Sequence, residues 1–314
     1  MSSKTIELKG YAIGFYAPWA ESVLNIQVPI KKEDIVNARK AIDDVITWID
    51  EADKKWKVPW INEKLVKRRK RGRIIQVGSG DRAKLMLELM PFPTHFYLIP
   101  EKARYVFTSW LYKNSVKIRA RPENIYIVSE ARLKNLANVV VNINSMLNEG
   151  NRLIHEFWSR EGRNRLMEIL ERNNIVCDVN KLSPRRFHEF RVMITPIKLS
   201  YSLVRDWIMK DPNVAYMFQE TINSYMQSII DDIRSKLEHF VNSVLENRNV
   251  RVKNVYERVK EIRTLARELG IESLVSVVVN DVLTAVTNPE GFRMKYRDIE
   301  SWRKDIDARI ASLI

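Results

Sequence analysis

The chain has 314 residues, 45% of them hydrophobic and 29% charged, with eight Trp, eleven Tyr, ten Phe and a formal net charge of +14 at pH 7. This is enough apolar bulk for one large domain or two smaller ones and too much for a disordered chain. The single cysteine, Cys177, excludes an internal disulfide and any cysteine-rich zinc module. The opening MSSKTIELKGYAIGF has no apolar signal core and no apolar run approaches a membrane span, so no membrane association is expected. The expected location is the cytoplasm of a host cell or a virion, without secretion. Sparse glycine with abundant Ile, Arg, Lys and Glu is compatible with a thermophilic source.

In chain order, Ile6, Leu8, residues 11–16 and residues 23–28 alternate loosely, which predicts two strands joined at Pro18 and closed by Pro29. A helix is expected over 31–55, with Ile35, Ala38, Ile42, Val45, Ile46 and Ile49 on one face. Residues 73–128 read as mixed: extended pieces at 74–77, 94–99, 116–119 and 125–128, helices near 81–90 and 101–113. From Ser129, a candidate N-cap, the pattern is helical, with Leu133, Leu136, Val140, Ile143 and Leu147 in phase and an interruption at Gly150. Asp211 and Pro212 open the longest helix, about 213–247. Its Phe218, Ile222, Tyr225, Ile229, Ile233, Leu237, Phe240 and Val244 alternate spacings of three and four, a coiled-coil-like seam that pairs within or between chains, the latter making a homo-oligomer. Helices over 252–269 (ending at Gly270), 271–287 and 295–313 follow. The expected fold is mainly α with a small N-terminal α+β part, divided into 1–128, carrying the basic cluster, and 129–314, a helical bundle built on 213–247.

The charge is placed unevenly. Residues 1–57 carry nine basic and nine acidic side chains and residues 201–314 seventeen of each, whereas 58–125 hold fifteen basic against five acidic and 126–200 twelve against eight. The peak is Lys64, Lys67, Arg68, Arg69, Lys70, Arg71 and Arg73, seven cations in ten residues. Such a run attracts polyanions. On a helix over 61–71, Lys64, Lys67, Arg68 and Arg71 share one face, and Trp56 and Trp60 just upstream are candidates to stack on bases. A solvated surface, or a contact for an acidic protein, is the plainer reading of the same run. No zinc-finger spacing, RNP1 signature or helix-turn-helix core accompanies it, so binding directed at the backbone is expected rather than base reading.

Catalytic signals are weak. Gly78, Gly80 and Ala83 fit G-x-G-x-x-A after an apolar run, with Glu101 beyond a second one, but Pro91 cuts the expected helix short for a crossover. His188 and Arg191 have an H-x-x-R spacing that tyrosine recombinases place against a scissile phosphate, with Tyr216 and Tyr225 downstream, yet Pro196 follows closely. His95, His155, His188 and His239 stand apart, Cys177 reads as a small buried hydrophobe, and the pairs Asp43–Asp44 and Asp231–Asp232 diverge around their helices as solvated faces. No catalytic residue, metal ligand or cofactor site is assigned.

Three stretches carry a family resemblance: YIVSEARLKNL from Tyr126, leading on to Phe157 and Trp158; PIKLSYSLV from Pro196; and VYERVKEIR from Val255, through Ile271–Leu274 to Val282 and Leu283. In this order the chain resembles an uncharacterised family of phages, plasmids and other mobile elements, often encoded beside a MoxR-type AAA+ ATPase and a von Willebrand A protein. The resemblance covers about half of the sequence and implies an accessory helical protein; it assigns no catalytic residues. The basic cluster and the glycine turn are not features of that family. The combined expectation is a non-enzymatic accessory or structural protein of a mobile element or virus, binding DNA or RNA backbone through the central patch. The alternatives are a module partnering an AAA+ ATPase, and a nucleotide-binding enzyme using residues 78–83.

Overall fold

The loose alternation ahead of residue 31 forms two strands, as expected, and the two lie in different sheets. In the computed structural model, which describes residues 7–16, 24–62, 71–78, 84–119, 124–178, 183–200, 202–208 and 210–311, β1 spans Glu7–Tyr16. The turn expected at Pro18 lies outside the described residues. Strand β2 (Ile26–Ile30) includes Pro29, followed by a 3-10 turn and α1 (Ile35–Lys55), then β3 (Gly72–Val77) and β4 (Lys84–Leu89). Next come α2 (Thr94–Asn114), β5 (Val116–Ile118), β6 (Ile125–Val128) and α3 (Glu130–Phe157), then a π turn (Trp158–Gly162) into α4 (Arg163–Arg172). Strand β7 (Arg191–Ser200) precedes the helices α5 (Ser202–Ile208), α6 (Pro212–Leu245), α7 (Val252–Glu268), α8 (Glu272–Thr287), α9 (Pro289–Lys295) and α10 (Ile299–Ala311). The fold is mainly α with a small α+β part.

Three local expectations are corrected. Residues 84–89 are a strand, not part of a helix: Leu85, Leu87 and Leu89 turn to one face, and β4 pairs on both sides, with Val28↔Leu87 and Ile74↔Leu87. Two ladders override the helix preference of Leu, Met and Glu. Residues 94–99 start a helix although Phe, Tyr and Ile favour strands. Buried Phe96, Ile99, Ala103 and Phe107 recur at helical spacing straight through Pro100. Residues 191–200, inside the region expected to be helical, form β7 beside β1. Lys198 reaches Glu7 (2.8 Å) while Met193 lies against Gly14, the order of an antiparallel neighbour.

The chain divides into two compact units that do not meet at 128/129. A C-terminal unit takes Met1–Phe15, Ser109–Ala137 and Val192–Ile314; a central unit takes Tyr16–Thr108 and Asn138–Arg191. Strand pairing explains the difference from the sequence reading. Because β1 pairs with β6 (Tyr11↔Val128, Ile13↔Tyr126) and neighbours β7, the N-terminal strand belongs with the C-terminal helices.

In the C-terminal unit the sheet order is β5-β6-β1-β7. Leu8, Val116, Ile118 and Ile127 join Ile229, Ile233, Leu237, Val278, Val282 and Trp302 in one core. The α6 seam is satisfied inside this unit, against α8, α9 and α10. Asp211 caps α6 through bonds from the N–H groups of Asn213 (2.9 Å) and Val214 (3.2 Å), as its sequence position suggests. Polar α6 residues one turn apart serve the open edge of β5. Ser228 Oγ accepts the Arg119 N–H (2.6 Å), Asp232 accepts the Lys117 N–H (3.0 Å), and Lys236 Nζ donates to Ser115 O (2.6 Å). These side chains stand in for a neighbouring strand. Lys236 and Asp232 also pair at 2.7 Å. Burial pushes the lysine down and outweighs Asp232, which pulls it up. Asp232 is therefore a structural acceptor and not a solvated face.

Ser129, expected as a helix cap, instead donates its hydroxyl to Glu268 (2.6 Å), which also receives Arg132 (3.0 Å). Gly270 closes α7 at φ +77°, where an added Cβ would stand 2.3 Å from the carbonyl oxygen of Glu7. Gly270→Ala is expected to destabilise the protein by more than about 1 kcal/mol, read as a lower urea midpoint at unchanged slope.

In the central unit, β2-β4-β3 form an antiparallel sheet with α1 across one face, where Ile42 lies against Gly72. Its aromatic core centres on fully buried Phe157, with ring centroids of Trp48, Trp56, Phe92 and Phe96 at 5.9, 5.4, 5.7 and 5.9 Å. Helix α3 runs on through Gly150, where hydrogen replaces a side chain because Ile99 lies only 2.9 Å from the position of a Cβ.

Candidate nucleic-acid interface

Of the sequence-assigned residues, Lys64, Lys67, Arg68, Arg69 and Lys70 lie outside the described residues, and the structure locates the chain on either side of them. Upstream, Ile61 is buried and its N–H bonds Val58 O (3.0 Å). The Val58 N–H in turn donates to buried His95 Nδ1 (3.1 Å). Downstream, the Arg71 carbonyl accepts the Met90 N–H (2.8 Å) and Gly72 opens β3.

Arg71 is corrected. Its side chain is 2% exposed and makes no surface for phosphate. Nη2 donates to Asp53 Oδ2 (2.8 Å) and Thr94 Oγ1 (2.6 Å), and Nη1 to the carbonyl of Phe92 (3.0 Å). Asp53 also accepts the Thr94 N–H (2.6 Å) and its hydroxyl (2.7 Å). One guanidinium fork thus joins the end of α1, the entry to β3 and the start of α2.

Arg73 remains 63% exposed but is committed to Glu88 at 2.5 Å. That pairing offsets its charge toward an incoming phosphate. Burial alone would raise the Glu88 carboxyl. The bonds from Arg73 and Gln27 (3.2 Å), with Asn25, outweigh burial and hold it below its ordinary value. A depressed carboxylate contributes stability that is present above the unfolded value, about 4.3 for Glu, and lost as pH falls through the folded value. Wild type should therefore lose unfolding free energy more steeply than Glu88→Gln as pH is lowered below about 5, followed by urea midpoints at each pH.

Trp56 is corrected as a stacking platform. Its indole N–H donates to Glu161 Oε2 (3.1 Å), Trp48 donates to Oε1 of the same carboxylate (3.2 Å), and the Trp56 ring packs edge-on against Phe157. Glu161 and the π turn carrying it fasten two indoles to the core. Trp60 is half-buried in the turn after Pro59.

The dinucleotide fingerprint loses its required context. Gly78 follows β3, and the chain returns as β4 with Val77↔Lys84 antiparallel, where the fingerprint needs a helix leading to a parallel strand. Residues 79–83 lie outside the described residues. His188 is exposed beside the Tyr16 ring (6.5 Å), and Arg191 bonds Glu189 (3.2 Å) at the start of β7. Tyr216 is 63% exposed on α6 and Tyr225 half-buried. Cys177 is half-buried. Burial, then the charge of Asp178, raises its thiol, which disfavours the nucleophilic thiolate. Among the described residues no group of three or more His, Cys, Asp or Glu is placed to hold a metal, and no helix is long and apolar enough to cross a membrane.

Folding also redistributes the charge that looked central in the sequence. The central unit carries 27 basic and 19 acidic side chains and the C-terminal unit 26 and 20, so both are cationic. No family model, curated protein or solved structure matches this chain.

Proposed function

We propose that this chain is a non-enzymatic, nucleic-acid-associated accessory or structural protein of a mobile element or virus. It holds the phosphate backbone through Lys64, Lys67, Arg68, Arg69 and Lys70, with Arg73 contributing weakly. The observation that carries the reading is the density of this run, five cations within seven residues once Arg71 is assigned to the core. Its neighbours on both sides are fastened to α1, α2 and β4. The test is binding to random-sequence double- and single-stranded DNA and RNA across a salt series. Five to six contacts give a log–log slope of roughly −4 to −6.

A second reading, a protein-interaction module such as a partner of an AAA+ ATPase, is favoured by β7. It is an edge strand with Met193 68% and Ile194 46% exposed, the kind of edge that takes an added strand. Absence of nucleic-acid binding at low salt would overturn the first reading and assign the basic run to an acidic protein partner.

A further inference from the structure

Helix α7 sorts its charges. At about 100° per residue, Lys253, Tyr256, Lys260, Arg263 and Arg267 fall within an arc of about 80°. Glu257, Glu261 and Glu268 occupy another edge beside Arg258, which pairs with Glu261 (2.9 Å), and Val255, Val259, Ile262 and Ala266 are buried. The basic edge runs for about 21 Å at 1.5 Å per residue. It borders a cavity of about 210 Å³ between α7 and α8, floored by Ala266 and Val275, with Arg263 and Arg267 on one wall and Ser276 and Asn280 on the other.

Arg263 Nη2 donates to Asn280 Oδ1 (2.8 Å), which turns the carboxamide so that its N–H₂ is the remaining donor edge. Arg267 pairs with Glu272 at one end of the groove (3.2 Å). The cationic weight therefore lies with Arg263 and with exposed Lys260 one turn away. Tyr256, 46% exposed, lies one turn before Lys260 on the same stripe, with a ring available for stacking. Closely spaced cations, an amide donor and one aromatic along an open groove match the chemistry of a single-stranded nucleic acid: phosphates every few ångströms and a base with a π face.

We infer that the α7–α8 groove is a second nucleic-acid site, binding the phosphodiester backbone of a single strand through Lys260, Arg263, Arg267 and Asn280, with Tyr256 stacking on a base. The inference rests on the nucleic-acid reading but not on the cluster at residues 64–73. The test uses the full chain and a fluorescent 20-nucleotide oligo-dT. Lys260→Gln/Arg263→Gln/Arg267→Gln should weaken binding by about tenfold or more and make the salt slope shallower by about 1.4 to 2, at roughly 0.7 per contact, with Arg267 counting for less than a full contact because Glu272 offsets it. Tyr256→Ala should weaken binding about tenfold with an unchanged slope, since stacking releases no counterion. Glu261→Gln, on the acidic edge and paired with Arg258 outside the stripe, should leave the slope unchanged. If the triple variant melts early, Lys260→Gln alone carries the test, with a slope change of about 0.7.

Wild-type binding that the triple variant retains in affinity and slope overturns the groove and leaves the proposed function standing. No binding of oligo-dT, double-stranded DNA or RNA by wild type overturns both. Binding of a polyglutamate peptide, lost in the triple variant, without binding of oligo-dT overturns the nucleic-acid occupant in favour of an acidic protein.

Discussion

Arg71→Ala is expected to lower the unfolding free energy by about 3 kcal/mol, towards the lower end for breaking a buried ion pair by removing one partner. The substitution leaves Asp53, Thr94 Oγ1 and the Phe92 carbonyl without the guanidinium that joins them. The lower end applies because the Asp53 side chain is 24% exposed and water can reach it. Arg71→Lys should fall between wild type and alanine, since an ammonium keeps the charge but not the fork that spans three acceptors. Urea unfolding measures both variants, and the salt slope of nucleic-acid binding should not change in either. An alanine variant of native stability with a shallower slope would return Arg71 to the phosphate-binding set.

The opposite profile is expected when Lys64, Lys67, Arg68, Arg69 and Lys70 are all replaced by glutamine with Arg71 retained. Each phosphate contact contributes about 0.9 to the slope on double-stranded DNA, so losing five makes it shallower by about 4.5 and lowers affinity at moderate salt by roughly a hundredfold or more. The urea midpoint, read in parallel, distinguishes a lost contact from a lost fold. Unchanged affinity in this variant would remove the central cluster from the interface. Together the two substitutions divide one run of cations into a structural residue and a binding set.

That division could not be read locally. Arg71 stands among identical neighbours, and what separates it is Asp53, eighteen residues upstream, and Thr94, twenty-three downstream. The same limit explains residues 84–89, whose apolar run suits a helix until β2 and β3 pair with it, and β7, whose place is set by β1 at the far end of the chain. Helices with their own start, face and stop were legible: α6 from its Asp211 cap, α7 from its end at Gly270, α1 from its apolar stripe. The α7 basic edge is equally periodic but does not show in the net charge of its region. Residues 201–314 balance seventeen charges of each sign, and a zero sum conceals charges sorted to different edges of one helix.

The interleaving of the two units has a consequence for synthesis on the ribosome. Every segment of the central unit has been made once residue 191 is added, whereas the C-terminal unit opens with the first strand of the chain and is complete only with α10. The middle of the polypeptide can fold first, in keeping with the way domains form as units during translation. Strand β1 must meanwhile wait for β7, which follows it by some 175 residues. At roughly 5–20 residues per second, that delay is on the order of ten to thirty seconds. During it, the edge of β1 that β7 later covers stays open to pairing with other nascent chains.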